Sequence, residues 1–399
     1  MHSLPYWRLS GYYFFYFAFI GAFSPYFGLY LQSLSFSAWD IGLLMSQMQL
    51  MRLFGPYLWG ELADHLARRV PIVRLAGVIS LIGFSAFFFV RGFDAFLVAM
   101  ALLAFFWSAA LPLVDTVTFD HLREEPARYS RIRLWGSIGF IVAVLGTGAL
   151  LDHWPLASLL WVIVAILAGI VLYAFLIPEG PLRPHADHHL SVGRILRQTH
   201  VKALFAGCLA MSAAHGAFYI FYSIHLAGHG YSTLMVGGLW SLGVLAEIVV
   251  FFYMSKLMRR FGLRNILLAS FAAAVLRFLL IGWGVDSLAV TAFAQLLHGL
   301  TFGAHHAASI TAVNRWFPGR SQARGQALYS SLSFGAGGLL GGLLSGWMWT
   351  PLGAALTFTL SSFFALLGLI LVAVWVRESD VAAVGDGRIS RVLDPSSSA

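Results

Sequence analysis

The chain has 399 residues, of which 59% are hydrophobic and only 11% charged, and its mean hydropathy is +0.79. A soluble domain carries about 25% charged residues, so this composition excludes a soluble fold and specifies an integral membrane protein. The formal charge of +8 does not point to nucleic acid, because the basic residues are distributed by topology rather than gathered in a patch.

Twelve apolar stretches follow in chain order: 10–32, 40–62, 72–91, 95–119, 133–152, 157–177, 203–226, 233–255, 265–284, 287–313, 325–347 and 353–376. Each can cross ~30 Å of hydrocarbon as a helix rising 1.5 Å per residue. Barrel strands would instead alternate in segments of about ten residues. The expected fold is an all-α membrane protein of twelve transmembrane helices in two pseudo-symmetric six-helix bundles, 1–177 and 201–378. A linker, 178–200, joins them, and a tail, 379–399, ends in the polar stretch 386–399, which reads as disordered. The first apolar segment is full length, so no cleavable signal peptide is expected. The single cysteine, Cys208, permits no intrachain disulfide.

Nearly all Lys and Arg lie in or beside every second connection or at the termini. They include Arg68, Arg69, Arg123, Arg128, Arg131, Arg194, Arg197, Lys202, Arg259, Arg260, Arg264, Arg315, Arg320 and Arg324. The opposite side carries only Arg91, while Arg52 and Arg277 fall inside spans. Positive loops stay in the cytoplasm, so both termini and the linker are expected there.

The halves read as repeats. One shift of 195 aligns "LSFSAWDIGLL" (34–44) with "HGYSTLMVGGL" (229–239) and "GELADHLARR" (60–69) with "SKLMRRFGLR" (255–264). Parallel repeats imply a pseudo-two-fold axis along the membrane normal and a site near midplane between the halves.

"GELADHLARR" resembles the signature of the major facilitator superfamily, with Gly60, Asp64, Arg68 and Arg69 matching its Gly, Asp and two basic positions. His65 and Ala67 depart from that pattern. The resemblance implies a gating motif. Gly60 would let helices approach closely, and Asp64 would meet the positive N-terminal end of the eleventh span. An ordinary charged loop that sets orientation is the plainer alternative. "RIRLWGSIGFI" (131–141), "LLHGLTFGAHHAA" (296–308) and "ARGQALYSSLSFGAGGLLGG" (323–342) resemble the phenylpropionate permease branch, related to the lactose-type proton symporters. This implies a bacterial inner-membrane, proton-coupled importer, with a small molecule, protons and the lipid bilayer as partners. A monomer with no cofactor, no metal and no enzymatic activity is expected.

Gly338, Gly342 and Gly346 recur every four residues, so one face of the eleventh span is flat. Span five carries Gly136, Gly139, Gly146 and Gly148. Such faces allow close contacts, static or sliding.

Four features mark the midplane. Glu247 lies midway along "LGVLAEIVVFFY" (242–253), and the repeat shift lands it on Arg52. A lone charge at this depth costs at least ~2.5–3.5 kcal/mol, which a wet cavity or a partner relieves. Arg277 is central in span nine and His215 in span seven. His298 and His305 in span ten are seven residues apart, which on an α-helix places them on one face, with His306 adjacent. A Glu in span eight, an Arg in span nine and a His in span ten resemble the proton-coupling layout of the lactose-type symporters. Those proteins carry a further acid one turn beyond the His, where Ser309 stands here, so the resemblance implies proton coupling at Glu247 with His305. Arg52, Arg277, Glu247, His298, His306 and His215 are candidate substrate ligands, each with a hydrogen-bonded packing role as the alternative. Asp115 and Asp120, toward the end of the fourth span, and Arg133, at the start of the fifth, form a candidate gate or orientation pair, with a solvated helix end as the alternative. Tyr26, Phe27, Tyr30, Tyr219, Tyr222 and Trp240 are candidates to line a pocket for an aromatic ring.

The favoured substrate is a small organic acid such as 3-phenylpropionate, which paired hydrogen bonds from an arginine would hold. A sugar or nucleoside is the alternative, with Gln47, Gln49, Gln295 and Asn314 as hydroxyl partners. Two other classes compete. Fourteen histidines could serve a haem or quinone protein, with His215 and His305 as axial candidates. A receptor built on a transporter fold is the other, although midplane charges would serve it no purpose. No G-x-x-x-x-G-K-[ST] motif is present, so an ion gradient would supply the energy.

Overall fold

The computed structural model describes residues 4–122, 127–180, 192–317 and 321–381. The centre of the linker, the tail beyond residue 381, Arg123 and Arg320 lie outside the described residues. The described chain is almost wholly helical. The first half holds α1 (Tyr6–Ser33), α2 (Ala38–Leu66), α3 (Val70–Ser85), α4 (Phe93–Leu122), α5 (Ala127–Leu151) and α6 (Ser158–Leu176). A short α7 (Val192–Leu196) precedes α8 (Thr199–Ala214), α9 (Gly216–Gly228), α10 (Thr233–Phe261) and α11 (Leu263–Trp283). Then come α12 (Leu288–Leu296), a π-helical segment Gly299–Ala304, α13 (His305–Trp316), α14 (Gln322–Ser330), a second π segment Ser331–Gly337, α15 (Gly338–Trp375) and α16 (Glu378–Val381).

Among the described residues nine helical stretches are long and apolar enough to cross a membrane. Two expected spans are not among them. α2 carries Gln47, Gln49 and Arg52 in its middle, which lowers its hydropathy. The tenth span is broken into three pieces by its π segment. The eleventh and twelfth run together as Arg324–Trp375, 52 residues. Within them Gly353 turns the chain at φ +78°, a conformation that costs glycine little and other residues much.

The repeat is visible at the helix ends. Starts at 38, 93 and 127 carry over by 195 residues onto starts at 233, 288 and 322, and the start of α6 at 158 falls on the Gly353 turn. α2 and α10 are each 29 residues long. Their N-caps are the matched Ser37 and Ser232, whose hydroxyls accept from the N–H three residues on. In α2 Asp40 completes a capping box, with both reciprocal bonds at 3.1 Å.

α1 packs on α5 and α6 in the first half, and α15 on α8 and α11 in the second. Across the halves, α5 meets α10, α2 meets α15 and α1 meets α9. The flat face of α15 lies on α2: a Cβ at Gly338 would meet Gln49 at 3.1 Å, Gly342 faces Ser46, and a Cβ at Gly346 would lie 3.0 Å from Gly42 Cα. Gly136 and Gly139 serve α1 in the same way, through Phe17 and the Phe14 backbone. Gly341 sits directly on the Ala213 carbonyl of α8. Gly341→Ala is therefore expected to cost about 1–3 kcal/mol by overpacking, read as a lower melting temperature in detergent. An unchanged melt would mean that α8 can move aside.

The helices alternate in direction, so the molecule has two faces. The near face carries the start of α1 and the ends of α2, α4, α6, α10, α13 and α15. The far face carries the connections after α1, α3, α5, α9 and α11 and the Gly353 turn.

Candidate functional site

The centre of the site is a contact between α10 and the segment following α12. Glu247 Oε1 lies 2.6 Å from His298 Nε2, with side-chain exposures of 15% and 7%. Glycine makes this approach feasible. A Cβ at Gly299 would lie 2.7 Å from the Ala246 carbonyl, and one at Gly303 would lie 3.6 Å from Glu247 Cα. The π segment thus lies with bare backbone against α10. From His298 a column of rings runs along the same helix: Phe302 stacks at 5.6 Å and His306 on Phe302 at 5.8 Å. His306 Nδ1 then meets the Tyr329 hydroxyl at 2.9 Å.

The expected shared face of His298 and His305 is corrected. An α-helix returns to one face after seven residues, but a π turn advances less per residue. The six-residue π segment between them breaks that register. His305 turns towards α8 and α11, with Cys208 Sγ 4.0 Å away and the Phe271 ring centroid at 5.1 Å. His298 is the histidine on Glu247.

Arg277 is fully buried, and its direct partners are all neutral. It donates to Ala294 O at 3.1 Å, to His215 Nε2 and Thr301 Oγ1 at 3.2 Å, and to Gln295 Oε1 at 3.4 Å. Its guanidinium carbon sits 4.2 Å from the Phe218 ring centroid, a cation–π contact. His215 bonds Met211 O through Nδ1 at 2.8 Å, so both its ring nitrogens are engaged. That arrangement leaves His215 no nitrogen for haem and places Arg277 as a buried tie among α8, α11, α12 and the π segment.

In the first half Arg52 and Arg133 have no ion pair among the described residues. The expected gate pair does not close: Arg133 lies over the Phe17 ring at 3.7 Å. Asp115 instead accepts from the Tyr13 hydroxyl at 2.5 Å and from Tyr129 at 3.0 Å. Beside them Tyr16 stacks on Trp107, centroids 4.3 Å apart and planes within 7°, and Phe19 closes on the same indole at 4.0 Å.

The remaining candidates disperse. The Tyr26 hydroxyl bridges Val144 O and Thr233 O at 2.8 and 3.1 Å, so it straps helices together. Tyr30 borders a separate cavity of about 560 Å³ at the far face, beside Phe87, Phe96 and Trp161. Trp240 donates to Ser223 Oγ at 3.0 Å, and Tyr222 is buried beside it. A Cβ at Gly60 would meet nothing within 4 Å, against the close approach expected there. Arg68 and Asp64 are exposed; residues 318–320, which lead into the eleventh span, lie outside the described residues. Arg69 is the buried member of that motif. It pairs with Asp120 at 2.6 Å, and its N–H and that of Val70 donate to Glu179 at 3.0 and 3.1 Å. That carboxylate satisfies the open N-terminus of α3. Tyr16, Trp107, Phe302 and Tyr329 were not legible in the sequence, because each looks like ordinary span filler. The spacing of four that joins His298, Phe302 and His306 was the one available signal.

A family model described as MFS_1 like family matches residues 6–360. The chain belongs to the MFS_1-like family. This MFS_1-like protein is 30% identical over 358 residues to a probable 3-phenylpropionic acid transporter of Escherichia coli (strain K12), covering 87% of this chain and 92% of the relative. It is 27% identical over 377 residues to a maltose permease of Geobacillus stearothermophilus, covering 91% and 93%. Among solved structures, the nucleoside transporter NupG superposes with a TM-score of 0.82 over 93% of this chain and 99% of that one, at 19% identity, a likeness of fold. The MFS_1-like chain is therefore a multi-pass membrane transporter and not an enzyme.

Proposed function

We propose that this transporter imports a small aromatic carboxylate together with a proton across a bacterial inner membrane. The carrying observation is the division of charge at midplane. Arg52 and Arg133, which have no ion pair among the described residues, belong to one half, and the Glu247–His298 contact at 2.6 Å belongs to the other. A guanidinium holds a carboxylate by two parallel hydrogen bonds. The Tyr16–Trp107–Phe19 stack supplies an apolar wall for a ring. Glu247 carries the proton and His298 orients it. A carboxyl closed away from water must be neutral or paired, so loading at one face and release at the other follow from the change of surroundings. Arg277, with its donors already engaged, positions this half rather than holding the substrate, and Arg133 takes the anchoring role. His306 and Tyr329 extend the polar wall.

This reading rests on twelve membrane-spanning helices in two bundles. α2, the α12–α13 region and the division of Arg324–Trp375 at Gly353 complete the nine apolar stretches. The placement of basic residues on the near face supports cytoplasmic termini, and the working unit is one chain. The relative named as a probable 3-phenylpropionic acid transporter favours the same substrate class.

A neutral sugar or nucleoside is the second reading. Gln47 Nε2, Gln49 Oε1 and Gln295 Nε2 are buried without a hydrogen-bond partner among the described residues, and such atoms suit hydroxyl groups. The curated nucleoside permease NupG of Escherichia coli, 22% identical over 347 residues, is of that kind. Binding competition separates the two. Phenylpropionate is expected to bind purified protein, and Arg52→Lys and Arg133→Lys are each expected to weaken it roughly 10- to 100-fold, because Lys cannot make the paired bonds. Competition by polyols or nucleosides alone, with both Lys variants like the parent, would establish the second reading.

A further inference from the structure

We infer that Asp152 is a gate residue: its carboxylate, docked on the first turn of α10 from the opposite half, holds the far face shut and must let go each time that face opens. The inference concerns the alternation of the two halves and does not depend on the substrate or ion assigned above.

Asp152 follows the last residue of α5. The first N–H groups of a helix have no partner within it. In α10 Ser232 satisfies the N–H of Met235, and the N–H of Leu234 donates to Asp152 Oδ1 at 3.2 Å. The Thr233 hydroxyl lies 2.6 Å from the same carboxylate oxygen and 2.8 Å from Gly148 O. One half thus supplies an anion to the positive end of a helix in the other half. Burial pushes the Asp152 carboxyl up, but hydrogen bonds from Thr233, Leu234 and Ser232 outweigh it and hold it below the usual carboxylate range. The latch is therefore charged at neutral pH.

Its surroundings are built for contact across the boundary. A Cβ at Gly148 would lie 2.6 Å from Thr233 O, and one at Gly237 would lie 2.8 Å from Val144 O. The Tyr26 hydroxyl spans those same two carbonyls, so α1, α5 and α10 are clipped at one point. Gly42 and Gly346 make the matching close approach between α2 and α15 on the same face. The halves cannot separate there without breaking the Asp152 contacts. The repeat does not duplicate the latch, because the shift of 195 lands Asp152 on Trp347.

The test uses full-length protein in nanodiscs, spin-labelled at Trp154→Cys and Leu288→Cys, which are exposed far-face positions in the two halves. The distance distribution is read by pulsed electron resonance. Asp152→Asn is expected to raise the long-distance, far-face-open population roughly tenfold or more relative to the closed one, the scale of one hydrogen-bonded charge. Asp152→Glu is expected to restore most of the closed population. Thr233→Val, which removes the hydroxyl but leaves the Leu234 N–H, is expected to move the population the same way by less. If Asp152→Asn does not fold, Thr233→Val decides. A distribution like the parent's in every folded variant overturns the inference, as does a shift that Asp152→Glu fails to reverse.

Discussion

Glu247→Gln is expected to abolish pH-driven accumulation while leaving downhill exchange of substrate in place. A one-unit pH difference is worth about 1.4 kcal/mol per proton and supports roughly tenfold accumulation at one proton per substrate. The amide of Gln can still bond to His298 at the 2.6 Å contact, so the geometry of α10 against the π segment survives. It cannot ionise, so no proton is carried. The measurement is uptake into proteoliposomes, with and without an imposed pH gradient, alongside counterflow with substrate on both sides. Gradient-driven accumulation in Glu247→Gln to the parent's level would remove Glu247 from the coupling step. Loss of counterflow as well would make it a structural partner of His298.

The largest stability effect is expected at Arg277. Arg277→Met removes a fully buried cation and leaves Ala294 O, His215 Nε2, Thr301 Oγ1 and Gln295 Oε1 short of a donor. Each orphaned buried group costs about 1–3 kcal/mol, although a side chain of Met's size still fills the space against Phe218. A net loss of roughly 3–5 kcal/mol is expected, in line with breaking a buried charged contact. Thermal unfolding in detergent measures it. The companion Arg277→Lys separates position from substrate contact. If Arg277 is a tie among helices, the Lys variant melts well below the parent, and affinity falls only as folded protein is lost. A Lys variant with the parent's stability but no affinity for phenylpropionate would return Arg277 to the substrate, where the sequence alone had placed it.

The two halves of the motif at 60–69 illustrate why some readings transfer and others do not. That its basic residues lie in a near-face connection follows from hydropathy and charge along the chain. Which of them is buried follows from what surrounds the loop. Arg69 finds Asp120 and Glu179, residues some 50 and 110 positions away in sequence, while Gly60 faces open space. Asp152, the gate residue inferred above, has no motif around it. Its role depends on the start of α10 lying beside the end of α5.

The sequence by itself determined the membrane class, the positions of the apolar runs and the 195-residue repeat that matches helix starts across the halves. These are properties of one dimension: hydropathy and periodicity survive without knowledge of neighbours. Only the tertiary structure decided the partners. Glu247 meets His298 and not His305 because Gly299 and Gly303 let a π turn settle on α10, and that turn shifts the register of everything after it. Arg277 is held by four hydrogen bonds, whereas Arg133 lies over the Phe17 ring with no ion pair among the described residues; hydrogen bonds are short-ranged and directional, so a residue's role is set by the few groups within about 3 Å of it. Those groups come from other helices, at sequence distances that no local pattern encodes.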